Sequence, residues 1–181
     1  MIEFIAVIFS LLSVILTTRK NLLCWPIGLI GIIAYSFLFY QNRDWSNFLL
    51  QFVFIIQSIL GWINWKNSES VDATSLETYE RFGLAIATIV VFLCLFFINS
   101  IFSGNFTELD ALTSSLSIFG MLLLSKSKIE AWIFWILADV IYIYLFFSQQ
   151  LYLSSILYFI FLILATYGYF NWTKIKRKTH D

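Results

Sequence analysis

Long runs of apolar residues dominate this chain and restrict what it can fold into. A membrane-spanning helix needs about 20 mostly apolar residues, within a range of about 17 to 25. Seven stretches meet this length, and we predict a spanning helix in each: Ile2–Thr18, Leu22–Tyr40, Ser46–Trp65, Phe82–Phe102, Leu109–Ser125, Ala131–Phe147 and Leu151–Asn171. Only 12% of the residues are charged, about half the share of a typical soluble domain. The sequence therefore predicts an all-α membrane protein with seven transmembrane helices.

Charge and isolated residues argue against several classes of function. The formal net charge is zero, so the chain lacks the basic surface that is typical of nucleic-acid binding. Cys24, Cys94 and His180 fall in separate segments, whereas a zinc site needs about four ligands. The sequence has no phosphate-binding glycine loop and no nucleophile–base pair. We therefore predict no metal site, no cofactor and no enzymatic activity.

The positive residues predict the orientation in the membrane. With seven spans, the segments after the first, third and fifth spans share one side with the C-terminus. That side carries ten of the eleven Lys and Arg residues, and the other side carries Arg43. The ten are Arg19, Lys20, Lys66, Arg81, Lys126, Lys128, Lys174, Lys176, Arg177 and Lys178. Because Lys and Arg accumulate in cytoplasmic segments, we predict an external N-terminus and a cytoplasmic C-terminus.

The chain contains an internal repeat at an offset of 107 residues. The offset aligns Trp25 with Trp132, Tyr35 with Tyr142, Gly61 with Gly168, and Asn64-Trp65 with Asn171-Trp172. Spans one to three then match spans five to seven. We predict two parallel three-helix repeats, residues 1–66 and 108–181, joined by a polar, acidic loop and a linker helix within 67–107. Secondary transporters use such repeats and bind substrate between them, near the membrane midplane.

One face of the sixth span carries the strongest candidate site. Trp132, Trp135, Asp139 and Tyr142 follow a helical spacing that places them on one side. Asp139 lies near mid-membrane, where a carboxylate costs about 2.5–3.5 kcal/mol, and no span offers a Lys or Arg at that depth. A bound cation would balance the charge, and the rings would add cation–π attraction. The alternative is a structural aspartate that is protonated or hydrogen-bonded.

Other spans add weaker candidates. Tyr35 lies on the matching face of the second span, which carries no acid. Gln51 in the third span and Tyr158, its equivalent in the repeat, are candidate substrate contacts, although Gln51 suits helix–helix hydrogen bonding equally well. Thr113 belongs to a small-residue face of the fifth span that suits either substrate or close packing. We interpret five tryptophans as residues of the membrane–water interface: Trp25, Trp45, Trp62, Trp65 and Trp172.

Several motifs resemble those of the PnuC family of vitamin transporters. The repeat ends, Leu-Gly-Trp-Ile-Asn-Trp at 60–65 and Tyr-Gly-Tyr-Phe-Asn-Trp at 167–172, are similar to the family's repeat closures. The start of the second span at 21–28, Leu50-Gln51 and the stretch 129–158 are similar as well. The resemblance implies a 3+1+3 arrangement like that of the SWEET sugar transporters. It also implies facilitated diffusion of nicotinamide riboside across the bacterial cytoplasmic membrane, followed by trapping through cytoplasmic phosphorylation.

The substrate class leaves alternatives open. Trp45 and Met121 depart from the family's pattern at positions that bear on substrate choice. Other members of the family are associated with thiamine or riboflavin. Nicotinamide riboside and thiamine both carry a positive aromatic ring, so Asp139 favours these two over neutral riboflavin without separating them. The predicted partners are this small molecule and membrane lipid, and a homo-oligomer is compatible with them. The alternative from another class is a membrane structural subunit, which would have no solvated cavity.

Overall fold

A computed structural model describes residues 2–43, 45–68, 72–102, 107–148, 150 and 152–180. Within these ranges the chain forms seven α-helices: α1 (Ile2–Thr18), α2 (Cys24–Gln41), α3 (Trp45–Asn67), α4 (Thr78–Phe102), α5 (Thr107–Ser125), α6 (Ala131–Ser148) and α7 (Tyr152–His180). Six of them are long and apolar enough to cross a membrane, and α1 is apolar but shorter. The prediction of an all-helical membrane protein with seven helices is confirmed. Leu151, the predicted start of the seventh span, and Glu69 of the acidic loop lie outside the described residues.

The helix ends agree with the predicted spans to within a few residues, with two larger differences. The helix α4 begins at Thr78 rather than at Phe82, because the Glu80 carboxylate accepts a hydrogen bond from the Glu77 N–H at 2.8 Å and so caps the helix. The helix α7 continues beyond Asn171 to His180, because Lys and Arg are good helix formers. Both extensions consist of polar turns that span length alone does not predict.

Six helices form a closed ring, and α4 lies outside it. The helix α1 packs against α2 and α7, α3 packs against α2 and α5, and α6 packs against α5 and α7. The helix α4 packs against α5. The two contacts that join the halves of the ring, α3 with α5 and α7 with α1, are equivalent under the repeat offset. The interior of the ring is therefore enclosed by two groups of three helices, α1–α3 and α5–α7.

The backbone itself repeats at the same offset. Among the described residues, four non-glycine residues have positive φ: Lys20 (54°), Arg43 (58°), Ser127 (56°) and Gln150 (61°). They form two pairs, each 107 residues apart, in the turns after α1 and α5 and after α2 and α6. The N–H of Lys20 donates to the Thr17 oxygen at 2.9 Å, and the N–H of Ser127 donates to the Leu124 oxygen at 3.0 Å. These equivalences support the predicted repeat, and the 3+1+3 grouping stays a prediction.

Four tryptophans form a chain of ring contacts at one end of the bundle. The ring centroids are 5.2 Å apart for Trp25 and Trp65, 5.8 Å for Trp65 and Trp172, and 5.4 Å for Trp172 and Trp132. All four side chains are buried. The interpretation of Trp25, Trp65 and Trp172 as interfacial residues is therefore wrong, because an interfacial tryptophan faces lipid and water. Trp45 is exposed and stays compatible with that interpretation.

Hydrogen bonds from this tryptophan cluster tie the two halves together. The indole N–H of Trp65 donates to the Leu124 oxygen at 3.2 Å, and that of Trp172 donates to the Thr17 oxygen at 3.1 Å. The two bonds are equivalent at the offset of 107 residues. Lys20 lies over the same cluster, with its Nζ 4.7 Å from the centroid of the Trp172 ring. At this end of the bundle, each half of the chain thus donates an indole hydrogen bond to the backbone of the other half.

Residues 72–77, which precede α4, pack at this end of the bundle, where Ala73 and Leu76 are buried against the tryptophan cluster. Thr74 pairs with the turn between α5 and α6, since its N–H donates to Ser127 at 3.0 Å and its oxygen accepts from Ile129 at 2.9 Å. Arg81 forms an ion pair with Glu130 at 3.1 Å. The sequence predicted only a polar linker here, whereas Thr74 and Arg81 bind the second half of the chain.

Candidate functional site

A cavity of about 260 Å³ lies inside the ring of helices. Residues of α1, α2, α3, α5, α6 and α7 line it, and the described part of α4 contributes none. Its wall is mostly apolar and aromatic, with a few polar side chains, which is typical of sites for small molecules. The cavity lies between the two predicted repeats, where secondary transporters bind their substrates.

The predicted face of α6 forms one wall of the cavity. Trp132, Trp135, Asp139 and Tyr142 all line it, because the helical spacing turns them to one side. Asp139 is only 4% exposed. Within the described residues no hydrogen bond or ion pair holds its carboxylate, and no Lys or Arg lines the cavity. An ionised Asp139 would therefore give this wall a negative charge that the surrounding protein does not balance.

Aromatic rings continue the wall from α6 onto α7. The ring centroids of Tyr142 and Tyr158 are 4.5 Å apart, and Phe146 lies 5.2 Å from Tyr158. The side chains of Thr113 and Ser117 on α5 lie near the Tyr142 phenol. Tyr142 and Tyr158, which both line the cavity, therefore place adjacent aromatic rings from α6 and α7 on its wall.

A glycine on α5 allows Trp135 to lie close to that helix. A Cβ at Gly120 would be 3.2 Å from both Cε2 and Nε1 of the Trp135 indole. Contacts of this length are tighter than ordinary van der Waals contact. The missing side chain at Gly120 thus leaves room for the Trp135 indole against α5.

The opposite wall comes from α2 and α3. Tyr35 and Gln51 line the cavity there. The Gln51 amide nitrogen donates to the Asn47 oxygen of its own helix at a long 3.4 Å. Gln57 instead joins helices, since its amide nitrogen donates to the Ile118 oxygen of α5 at 3.0 Å. Of the two glutamines, Gln57 holds helices together and Gln51 faces the cavity.

Most of the predicted site residues meet in this one cavity. Seven of the eight line it: Tyr35, Gln51, Trp132, Trp135, Asp139, Tyr142 and Tyr158. Thr113 does not line the cavity. It is buried on α5 and donates to the Leu109 oxygen at 2.9 Å. Sequence reasoning missed Ser58, which also lines the cavity, and it placed Trp25 at the membrane surface. The repeat offset aligns Trp25 with the candidate Trp132, and this alignment could have identified Trp25 as a residue of the cavity.

Comparison with known proteins agrees with this architecture. Residues 1–174 match the nicotinamide mononucleotide transporter family. The chain belongs to that family. It is 24% identical over 207 residues to the nicotinamide riboside transporter PnuC of Escherichia coli strain K12, covering 98% of this chain and 87% of the relative. It is 28% identical over 186 residues to that of Haemophilus influenzae, covering 96% of this chain and 79% of the relative.

A solved structure has the same fold. The crystal structure of the vitamin B3 transporter PnuC superposes with a TM-score of 0.84 at 19% sequence identity, covering 98% of this chain and 82% of the other. At this identity the likeness shows the fold alone. The resemblance to the PnuC family that the motifs indicated is confirmed, and the chain is a multi-pass membrane protein of a transporter family.

Proposed function

We propose that this protein transports nicotinamide riboside across the bacterial cytoplasmic membrane, with its N-terminus outside and its C-terminus in the cytoplasm. The observation that carries the proposal is the buried carboxylate of Asp139 on the cavity wall, with no Lys or Arg among the lining residues. A pyridinium ring supplies the missing positive charge, and Trp135 and Tyr142 offer π faces to it. The relatives' names point to the same compound class.

The charge of the cavity favours the riboside over the mononucleotide that gives the family its name. A phosphate monoester carries a charge of about −1.5 to −2 at neutral pH. Proteins usually bind such a group with Arg, Lys or helix N-termini, and no Arg or Lys lines this cavity. The Asp139 carboxylate would also repel a phosphate. Phosphorylation in the cytoplasm would therefore convert the substrate into a compound that this cavity rejects, which supports trapping.

Transport is proposed to be facilitated diffusion. The sequence has no nucleotide-binding motif, and Asp139 is a single carboxylate rather than part of a paired proton relay. In proteoliposomes, uptake of radiolabelled nicotinamide riboside should stop when the inner and outer concentrations are equal. Accumulation against a concentration gradient, driven by an imposed pH or sodium gradient, would refute a passive mechanism.

Thiamine is the second candidate, because it is also a cationic aromatic molecule and the same carboxylate suits it. Calorimetric titration of the purified protein with nicotinamide riboside, thiamine and riboflavin separates these readings. We expect nicotinamide riboside to bind most tightly and riboflavin not to bind. A protein that binds none of the three would favour a structural membrane subunit.

The same titration tests the role of Asp139. Asp139→Asn keeps the shape of the side chain and removes its charge. A hydrogen bond or contact to a charged group contributes about 1.5–3 kcal/mol, so affinity for the cationic substrate should fall roughly tenfold to a hundredfold. Glu108→Gln is the control, since Glu108 is an exposed carboxylate at the start of α5. Unchanged affinity in a folded Asp139→Asn protein would exclude the countercharge role.

A further inference from the structure

Residues 72–77, called the strap below, follow α3 in the chain but bind the second half of the molecule. The N–H of Thr74 donates to the Ser127 oxygen at 3.0 Å, and the Thr74 oxygen accepts from the Ile129 N–H at 2.9 Å. These two backbone hydrogen bonds pair the strap with the turn between α5 and α6. The strap is therefore attached to one half of the chain by covalent connection and to the other half by contacts that can break.

Glu130, directly before α6, binds the strap and α4 through a single oxygen. Its Oε1 accepts from the N–H of Leu76 at 3.1 Å and lies 3.1 Å from the guanidinium of Arg81. Its other oxygen, Oε2, is buried and accepts no hydrogen bond from the described residues. A buried acceptor without a partner costs free energy that contact with water removes. Opening of this end would hydrate Oε2, so the closed contact is reversible rather than permanent.

The tryptophan cluster lies between the strap and the cavity. Trp25 and Trp132 belong to the cluster and also line the cavity. Ala73 and Leu76 of the strap are buried against the same cluster but do not line the cavity. A molecule that leaves the cavity at this end must therefore displace both the indole rings and the strap.

The strap is expected to follow α3 if the two halves move apart. Four residues, 68–71, separate the end of α3 at Asn67 from Asp72, and an extended chain spans at most about 3.3–3.6 Å per residue. Close to that end, the Trp65 indole donates to the Leu124 oxygen of α5 at 3.2 Å and so joins the halves. Separation of α3 from α5 would break this bond and draw the strap away from the second half.

We propose that the strap keeps the cytoplasmic end of the cavity closed while it is bound to Glu130 and to the turn at Ser127, and that substrate leaves when the strap releases both. The inference rests on the proposed function and adds to it the segment that moves. None of these residues lines the cavity. The strap thus controls the rate of transport without contacting the substrate.

A disulfide between the strap and the turn tests whether the strap must move. Thr74 and Lys128 are bridge partners in neighbouring backbone segments, which places their Cα atoms within the usual range for a disulfide. The variant combines Thr74→Cys and Lys128→Cys with Cys94→Ser, which removes an exposed thiol. After oxidation it should still bind nicotinamide riboside in calorimetry, but its uptake into proteoliposomes should stop and should return after reduction. The control, Lys128→Cys with Cys94→Ser, should transport equally before and after oxidation.

Labelling of Cys24 provides a second measurement that needs no substrate. Cys24 lines the cavity, is only 2% exposed, and is the one cysteine left in a Cys94→Ser protein. A membrane-impermeant maleimide added to inside-out vesicles should therefore label it slowly. Glu130→Gln removes the charge that pairs with Arg81 and should speed the labelling roughly three- to tenfold. Glu108→Gln, the same change at the start of α5 and the other end of the bundle, should leave the rate unchanged.

The outcomes separate this inference from the proposed function. Undiminished uptake through the oxidised disulfide variant would overturn the inference, and so would equal labelling of Cys24 in the Glu130→Gln and Glu108→Gln proteins. Failure of the wild-type protein to take up the riboside would instead overturn the proposed function. If the disulfide variant does not fold, the labelling decides alone. Labelling rates are compared well below the melting temperature of each variant, so that unfolded protein does not contribute.

Discussion

Gly168→Ala tests whether the close packing of α7 against Trp132 shapes the cavity. A Cβ at position 168 would be 2.6 Å from Cε2, Cη2 and Cζ2 of the Trp132 indole. Ordinary carbon–carbon contact is about 3.5–4.0 Å, so the ring must move by roughly 1 Å. An indole is rigid and cannot relieve this contact by bending. Overpacking of this kind costs about 1–3 kcal/mol.

Two measurements follow from this displacement. At about 2–4 °C per kcal/mol for a chain of this size, the melting temperature should fall by roughly 2–12 °C. Because Trp132 also lines the cavity, its movement should weaken binding of nicotinamide riboside in a calorimetric titration, by roughly tenfold if about 1.4 kcal/mol of strain falls on the bound state.

Gly83→Ala is the control for Gly168→Ala. Nothing lies within 4 Å of a Cβ at Gly83, and alanine is the better helix former by about 1 kcal/mol. The control should melt at the wild-type temperature or higher and bind the riboside normally. A Gly168→Ala protein with wild-type melting temperature and affinity would refute the packing argument, because it would mean that the ring moves at no cost and without narrowing the cavity.

Three further predictions concern the site, the topology and the effect of pH. Trp135→Ala removes one aromatic wall of the cavity, a loss of about 1–3 kcal/mol. Calorimetry should therefore show riboside binding weakened by roughly tenfold to a hundredfold. The control Trp62→Ala, which replaces an exposed tryptophan, should bind the riboside normally. A green fluorescent protein fused to the C-terminus should fluoresce and a fused alkaline phosphatase should be inactive, and the opposite pattern would reverse the orientation. Burial lowers the pKa of Lys20 from 10.5 to about 8, with nearby Asp72 partly opposing the shift. The unfolded chain therefore binds more protons than the native protein between about pH 8 and 10.5, so thermal stability should rise with pH across that window. The rise should be smaller in Lys20→Met, and equal slopes for the two proteins would exclude this role of Lys20.

Hydropathy and charge predicted the helices because lipid imposes a minimum length on any spanning helix and excludes charge from it. The cost of placing a charge within the membrane also identified Asp139 as a candidate site residue. A carboxylate in an apolar run needs a partner however the helices are arranged. Its aromatic neighbours followed from helical spacing. These inferences needed no knowledge of how the helices are arranged.

The features that the sequence did not reveal depend on that arrangement. Lipid-facing and protein-facing sides of a spanning helix are both apolar, so hydropathy does not distinguish a buried Trp172 from an interfacial one. A lone serine such as Ser58 gives no signal, because helical serines usually bond to their own backbone. The contact of Thr74 with the turn at Ser127 and Ile129 joins segments that are distant in sequence and share no motif.

The paired turns and reciprocal tryptophan bonds describe a scaffold that looks nearly the same after half a rotation. Such a scaffold alone would bind a substrate equally well in two orientations that are related by the half rotation. The lining residues are not equivalent in the two halves. At the repeat offset Asp139 corresponds to Ile32, and Ser58 corresponds to Ala165. The two repeats thus supply similar walls, and we expect the unmatched side chains to favour one orientation of the proposed substrate. In a protein with both Ile32→Asp and Asp139→Ile, we expect the substrate to bind in the reverse orientation.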